Sequence, residues 1–120
     1  MTEDVKQSSL VVQEQEIAWS AHPRFADILM KLLLTSAANP LASVSRVHVP
    51  PGGVIGWHQH ATQTETVYVL AGRSSLTLGE TATPFDAGHI VAIPPGTQHT
   101  LRNDGSDPVE LLCFFTPPSN

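Results

Sequence analysis

Turn-forming residues interrupt this chain at short intervals, and their spacing limits the folds that are open to it. Residues 50–53 and 94–96 combine proline with glycine, and glycine also lies in the turn signals at 71–72 and 103–105. Glycine tolerates positive φ angles and proline fixes φ, so each of these sites predicts a turn. Short strands are the usual elements of a chain that is punctuated in this way.

Five segments between these turns have the composition of β-strands. They are rich in valine, threonine, isoleucine and aromatic residues, which favour the extended conformation. The predicted strands are residues 42–49, 64–71, 74–78, 90–93 and 109–116. Regular short strands joined by Gly/Pro turns predict an all-β sandwich or barrel.

Residues 27–35, with the sequence DILMKLLLT, are the one segment whose composition conflicts with an all-β chain. Leucine, methionine and lysine favour helix over strand. The segment is short, however, and a Ser-Ala-Ala-Asn-Pro break follows it. We therefore predict a strand here, with a helix as the alternative. Residues 1–8 are predicted to be a flexible tail.

The length of 120 residues and the composition predict a single globular domain over residues 1–120. Apolar residues make up 41% of the chain and charged residues only 14%, which argues against a disordered protein. The net charge is −5 and the six basic residues are scattered, so we expect no nucleic-acid partner. The chain shows no signal peptide and no membrane-length apolar run, and we expect a cytoplasmic protein without a membrane partner. Cys113, the only cysteine, is expected to be a buried and unreactive thiol.

Three histidines and one glutamate are the candidate metal ligands. His58 and His60 are two residues apart, which places both imidazoles on one face if the segment is a strand. Glu65 follows a polar bend that can return the chain beside His60, and His99 follows the turn at 94–96. Three imidazoles and a carboxylate suit one divalent transition metal ion, such as Fe, Mn, Ni, Co, Cu or Zn.

These residues stand in a pattern that resembles the cupin superfamily. The first cupin motif is matched over residues 52–72 by Gly52, His58, His60, Glu65 and Gly72, with every interval satisfied. The second motif is matched over residues 88–103 by Gly88, Pro94, Gly96, His99 and Asn103. The resemblance implies a small RmlC-like jelly-roll barrel (a double-stranded β-helix) with a metal near one mouth. It also implies that His58, His60, Glu65 and His99 are the ligands and that the motif glycines lie in tight turns.

Strand alternation extends the prediction from the ligands to a possible pocket lining. If Glu65 points inward, Val67 and Val69 do so too, and if His99 points inward, Thr97 and Leu101 follow. By the same rule Val54 and Gly56 share the face of His58. Arg46 and His48 share a face of the preceding strand and are further candidates to reach the pocket, whereas His22, His48 and His89 are expected to have no direct role at the metal. The lining is thus small and apolar, which favours a small, weakly charged substrate.

The leading functional hypothesis is a dioxygenase-type oxidoreductase acting on a small organic molecule. Four protein ligands leave one or two metal positions open, and related cupins include dioxygenases. Two alternatives remain: a redox-neutral metal-dependent isomerase, lyase or decarboxylase, and a non-catalytic protein that binds a metal and a small ligand. A metal-free sugar epimerase is disfavoured because the ligand set is complete. No general base can be named beyond the metal site.

We also expect a homodimer. A 120-residue barrel has much surface for its volume, and its open sheet edges need to be covered. Small cupins commonly pair by sheet packing and strand exchange, which makes residues 9–17 a candidate exchanged strand.

Overall fold

The computed structural model describes residues 11–120, and these form ten β-strands and one short 3₁₀ turn at Glu14–Glu16. The strands are β1 Ser20–Ala21, β2 Leu29–Leu34, β3 Ser43–Val49, β4 Val54–His58, β5 Thr64–Ala71, β6 Arg73–Leu78, β7 Thr81–Asp86, β8 Ile90–Ile93, β9 His99–Arg102 and β10 Val109–Thr116. Among the described residues no helix has the length and apolar character that crossing a bilayer requires.

The strands pair into two sheets that face each other. One has six strands in the order β1-β2-β3-β10-β5-β8, and the other has four in the order β4-β9-β6-β7. Every strand pair is antiparallel. β1, β2 and β3 are consecutive neighbours, as are β6 and β7, whereas β10 lies between β3 and β5, and β9 lies between β4 and β6. The predicted all-β jelly-roll barrel is confirmed.

The strand predictions are confirmed closely. The strands predicted at 64–71, 90–93 and 109–116 have the observed bounds, and those predicted at 42–49 and 74–78 differ by one residue at their starts. The uncertain segment 27–35 contains β2, which is extended because it pairs with β1 on one side and with β3 on the other. Tertiary pairing thus overrides the helix preference of its leucines. The short strands β1, β4, β7 and β9 were not predicted as separate elements.

The core lies between the two sheets and follows the alternation of the strands. In β3 the buried residues alternate with half-buried ones from Ser43 to Val49, and in β5 Glu65, Val67 and Val69 are buried. The twelve buried apolar residues of the described chain form one cluster: Ile28, Val47, Val49, Val67, Val69, Leu76, Phe85, Ile93, Leu101, Val109, Leu111 and Cys113. One face of each sheet therefore builds a continuous interior.

The motif glycines lie in turns, as the resemblance implied. Gly52, Gly72, Gly88 and Gly96 all have positive φ angles between 78° and 95°. Gly72 is under a second constraint, because a Cβ there would collide with the backbone of Pro108 and Val109. A side chain at this position would therefore displace the start of β10.

Arg46 and His48 do not reach the interior, and the prediction that they could line the pocket is wrong. In β3 the inward positions are Ser45 and Val47, so the two basic residues lie on the outer face of the sheet. There Arg46 binds Glu14 at 2.8 Å and Glu110 at 2.7 Å, and His48 Nδ1 lies 2.6 Å from the Glu110 carboxylate. Trp19 packs over Arg46 and His48.

Residues 9–17 are the predicted exchanged strand, and their described part, 11–17, contains no strand in the single chain. The contacts of Glu14 hold this segment in another conformation. Glu14 binds Arg46, and both its backbone carbonyl and its carboxylate also accept hydrogen bonds from Lys31 Nζ. These bonds hold the 3₁₀ turn at Glu14–Glu16 against the outer face of the six-stranded sheet. The prediction of a flexible tail at residues 1–8 falls outside the described residues.

We expect Asn103→Ala to destabilise the fold strongly. The Asn103 side chain is 1% exposed and donates to the carbonyls of Val49 at 3.0 Å and Asp107 at 2.9 Å. Its removal leaves both carbonyls and the Gly105 amide without this partner, at a cost of about 3 kcal/mol. Urea unfolding followed by circular dichroism measures the loss. The control is Asn39→Ala, whose hydrogen bond to the Leu41 amide is open to solvent. Equal stability of the two variants would contradict the prediction.

Candidate metal centre

The four candidate ligands come from three strands and one loop at one end of the barrel. His58 ends β4, His60 lies in the loop after it, Glu65 is the second residue of β5, and His99 begins β9. His58 and His60 therefore do not share one strand, since β4 ends between them. Nevertheless, each of the four residues offers a ligand atom within 4.8 Å of the others.

Antiparallel pairing brings the distant residue His99 into this cluster. His58 and His99 are register partners across β4 and β9, and their ring centroids are 4.1 Å apart. Glu65 Oε1 lies 3.2 Å from His60 Nε2 and 3.2 Å from His99 Nε2. Three imidazoles thus surround one carboxylate, which is itself almost fully buried.

Two of the imidazoles are oriented by backbone carbonyls. His58 Nδ1 lies 2.8 Å from the Gly56 oxygen, and His99 Nδ1 lies 2.9 Å from the Thr97 oxygen. A carbonyl oxygen can only accept a hydrogen bond, so each Nδ1 carries the proton. In the neutral ring the lone pair is then on Nε2 and faces the cluster. Metal-binding histidines are commonly fixed in this manner by the bond that their other nitrogen makes.

The contact between His99 and Glu65 requires a positive charge. The Nδ1 proton of His99 is already committed to Thr97, so a neutral His99 would turn an Nε2 lone pair toward the Glu65 carboxylate. Two acceptors at 3.2 Å repel unless a proton or a metal cation lies between them. The arrangement of donors therefore fits a bound cation.

The pKa shifts in the cluster agree with this arrangement. Burial opposes ionisation of Glu65, but the hydrogen bonds from His60 and His99 outweigh it and lower the pKa of Glu65 to about 2. Burial also opposes charge on His99, yet its hydrogen bond to Glu65 raises its pKa overall. For His58 burial dominates and lowers the pKa. At neutral pH the cluster thus offers a charged carboxylate and, at His58, a neutral imidazole, which is the ligand form.

The donor set fits a divalent transition metal. Three imidazole nitrogens and one carboxylate oxygen suit Fe, Mn, Ni, Co, Cu or Zn, and a metal that prefers five or six ligands would keep one or two positions open.

A cavity of about 110 Å³ adjoins the cluster inside the barrel. Val67 and Leu101 line it, in agreement with their predicted inward orientation. Val69 is fully buried but is not part of the cavity wall. Thr97 does not line the wall either, and its backbone carbonyl accepts a hydrogen bond from His99. The wall is mainly apolar and includes Val47, Ile55, Leu76, Phe85, Val91, Ile93, Leu111 and Phe115.

The predicted inward orientation of Val54 is wrong. Val54 is 41% exposed, and its neighbour Ile55 lines the cavity instead. The register between β4 and β9 shifts between Ile55 and His58, so Gly56 and Trp57 of β4 lie opposite the single residue Thr100 of β9. This β-bulge reverses the alternation before His58, which counting back from the histidine could not reveal.

Sequence reasoning missed the loop between β1 and β2. It brings His22, Arg24 and Phe25 to the cavity, and the Phe25 ring lies 5.2 Å from the His58 ring. His22 was expected to have no part in the site, yet it lines the cavity beside Phe25, at a ring distance of 4.9 Å. Burial lowers the pKa of His22. The segment carries no motif and lies about thirty residues before the first ligand, so no local signal connected it with the site.

His89 and Cys113 lie outside the cluster of candidate ligands. His89 lies in the turn before β8, where its Nδ1 accepts a hydrogen bond from the Asp86 amide. Cys113 is buried in the cavity wall, and burial raises the pKa of its thiol well above the usual value. The thiol therefore stays protonated, as expected for an unreactive cysteine.

Comparisons with known proteins agree with this geometry. A family model for the cupin domain matches residues 45–115. An uncharacterised protein of Methanocaldococcus jannaschii is 36% identical over 76 residues, which are 63% of this chain and 61% of that protein. The oxalate-binding protein of Thermotoga maritima is 28% identical over 91 residues, covering 74% of this chain and 75% of that one. The matched region therefore spans about three fifths of the archaeal relative.

Solved structures show the same architecture. The crystal structure of a predicted oxalate decarboxylase from Thermotoga maritima has a TM-score of 0.81 and 26% identity, and the match covers 89% of this chain and 98% of that one. KdgF from Halomonas has a TM-score of 0.80 at 20% identity, with 91% of this chain and 94% of that chain covered, and shows the shared fold alone.

We expect His60→Ala and His99→Ala to reduce the metal content of the purified protein sharply. Each substitution removes one of four donors, whereas strand pairing depends on the backbone and should persist. Inductively coupled plasma mass spectrometry measures the metal, and circular dichroism checks the β-rich fold. His89→Ala is the matched control, because His89 lies outside the cluster. Full occupancy in His60→Ala would refute the four-ligand assignment.

The metal-free protein should lose stability as the pH falls from about 4.5 toward 2. Glu65 has a folded pKa of about 2 against the usual value of 4.5, so its contribution is complete above 4.5 and is lost on acidification. The loss is roughly 3 kcal/mol for this buried group. Urea unfolding at several pH values measures it, and Glu65→Gln should remove that part of the pH dependence. The exposed residue Glu80 provides the control, Glu80→Gln. An unchanged profile in Glu65→Gln would contradict the prediction.

Proposed function

Because the chain belongs to the cupin family, with a cupin domain over residues 45–115, we propose that it is a metal-dependent protein acting on a small organic molecule. We propose His58, His60, Glu65 and His99 as the ligands of one divalent transition metal ion. The reaction that we propose is of the dioxygenase type. The observation that carries the proposal is the position of the His/Glu cluster at the wall of a mainly apolar cavity.

The size of the cavity supports a small substrate. A volume of about 110 Å³ is somewhat below the roughly 150 Å³ of an apolar cavity that accepts benzene. It is also well below the ~300 Å³ at which pockets for drug-sized ligands begin. The substrate therefore has only a few non-hydrogen atoms, or it projects from the mouth.

The character of the wall supports chemistry that must be shielded from water. A metal bound at the cluster would polarise a substrate oxygen, and a redox metal such as iron would activate dioxygen. Val67, Val91 and Leu101 present apolar surface beside the ligands and exclude bulk water from the reacting groups. Gly56 and Thr97 hold two imidazoles in fixed orientation through their carbonyls, so the site does not need to reorganise when a substrate enters.

A second candidate is a redox-neutral reaction or simple binding of a small carboxylate. The relative from Thermotoga maritima named as an oxalate-binding protein, at 28% identity over 75% of its length, favours this class. The same four ligands would hold the metal in both cases, so the two candidates differ in whether dioxygen is consumed. Isomerases, lyases and decarboxylases belong to the second candidate.

We further propose that the protein is a homodimer that pairs through the outer face of the six-stranded sheet. Leu112, Tyr68 and Ile90 are register neighbours across β10, β5 and β8 on this face. Tyr68 is 36% exposed and Ile90 is 64% exposed, which leaves an apolar row open beside the edge strand β8. A second copy of the chain would cover both the row and the edge.

If the dioxygenase proposal is correct, iron(II)-loaded protein consumes dioxygen only in the presence of a small organic substrate. An oxygen electrode measures uptake with diketones, thiols, phenols and short hydroxy acids. Glu65→Ala should abolish uptake in samples matched for iron content, because the cluster loses its only carboxylate. His89→Ala should behave like the parent protein. Equal loss of substrate under nitrogen would discard the dioxygenase proposal in favour of the redox-neutral candidate.

Light scattering at micromolar concentration should give twice the chain mass of 12.9 kDa. Ile90→Lys places a charge in the apolar row and should shift the protein toward the monomer. Thr83→Lys introduces the same charge at an exposed position on the other sheet and should leave the mass unchanged. A monomeric parent protein would overturn the dimer proposal.

A further inference from the structure

We propose that Arg24 determines the substrate class of this site by binding the carboxylate of a small organic acid at the cavity mouth. The other end of the acid, a hydroxyl, keto or second carboxylate oxygen, would then face the His/Glu cluster. This inference rests on the proposed metal site, and it goes beyond it by naming the ligand chemistry and the residue that selects it.

The loop that carries Arg24 is held in place by its own hairpin. β1 pairs with β2 through Ser20 and Ala21, and the His22 amide donates to the Ile28 carbonyl at 2.8 Å. Ile28 is fully buried in the core. The tip of the hairpin, residues 23–27, is therefore closed at its base and lies against the barrel mouth.

Phe25 fixes the tip against the metal centre. The Phe25 ring lies 5.2 Å from the ring of His58. It also fills the space next to Gly56, into which a side chain at position 56 would project. A Cβ built on Gly56 would lie 3.4 Å from the Phe25 ring. Phe25 thus packs against the strand whose carbonyl orients His58, so the hairpin tip and the cluster have a defined relative position.

The side chain and the backbone of Arg24 each make one contact within the hairpin tip. Its guanidinium carbon lies 5.5 Å from the centroid of the Phe25 ring, within the range of a cation–π contact. Its backbone amide donates to His22 Nδ1 at 3.1 Å. The planar guanidinium remains able to form two parallel hydrogen bonds to a carboxylate, a geometry that lysine cannot reproduce.

The charges around the cavity favour an anion at this position. Among the described cavity-lining residues, Arg24 is the only arginine or lysine. In the part of the chain from residue 11 onward, no carboxylate lies within 4.0 Å of its guanidinium. The one carboxylate of the cavity wall, Glu65, is bound to His60 and His99. An incoming carboxylate would therefore find an available cation at the mouth, and its burial beside apolar walls requires such a partner.

The position of Arg24 at the cavity changes the expected substrate from a weakly charged molecule to an anion. The expectation of weak charge came from the absence of inward arginine or lysine within the two motifs, and Arg24 lies outside both. The cavity also limits the ligand to a small acid, because a phosphorylated sugar exceeds a volume of about 110 Å³.

The test is isothermal titration calorimetry with zinc-loaded protein, since zinc is redox-inert and binding can be measured without turnover. The probes are glycolate and pyruvate, each paired with its neutral methyl ester. The variants are Arg24→Gln and Arg24→Lys. The control is Arg102→Gln, because Arg102 is exposed and only loosely paired with Asp104 at 4.0 Å. Metal content is measured in every sample.

We expect the parent protein and Arg102→Gln to bind at least one acid more tightly than its ester. Arg24→Gln should weaken that binding by tenfold or more at unchanged zinc content and leave the ester unaffected. Arg24→Lys should recover part of the affinity. Equal affinity of the parent and Arg24→Gln for both acids, or no preference of the parent for acid over ester, would overturn the inference. Parent protein without zinc would instead refute the proposed metal site, so the two failures are distinguishable.

Discussion

The candidate site depends on one interaction, the burial of the Glu65 carboxylate among three imidazoles. A carboxylate in an apolar interior is costly unless cationic or donating groups surround it. Here His60 and His99 each lie 3.2 Å from the same oxygen. Because the Nδ1 proton of His99 is held by a carbonyl, only a proton or a metal ion can make its Nε2 contact attractive. The need for a cation is thus built into the packing of the barrel.

The two faces of the six-stranded sheet have different roles: one lines the cavity and the other carries ion pairs. The inner face supplies Glu65 and part of the apolar wall of the cavity. The outer face holds an ion-pair network in which Arg46 bridges Glu14 and Glu110, and Trp19 lies over it. This network fastens the described part of the N-terminal segment to the sheet. The cavity wall away from the cluster and the mouth is mainly apolar.

The hairpin between β1 and β2 carries Arg24, which we propose as the residue that binds the substrate, and it packs beside the candidate metal ligand His58. Phe25 packs beside Gly56, whose carbonyl orients His58, and the neighbouring Arg24 stacks on the Phe25 ring. A change at the hairpin tip therefore reaches both the mouth of the cavity and the first imidazole. The two barrel motifs contain the four candidate metal ligands, whereas the hairpin outside the motifs forms part of the cavity wall. Such a division is expected where a common fold serves many reactions.

The amino-acid sequence by itself determined six of the ten strands of the described chain, most of their inward faces and the identity of the clustered residues. These follow from local rules: turn residues fix where strands end, and alternation fixes which side chains share a face. The motif spacing was enough to name His58, His60, Glu65 and His99 as one group. Only the tertiary structure decided that Ile55 and not Val54 faces the cavity, because a bulge arises from the pairing of β4 with β9. It alone placed Arg24 at the mouth, since the path of a hairpin tip depends on packing against strands that are remote in sequence.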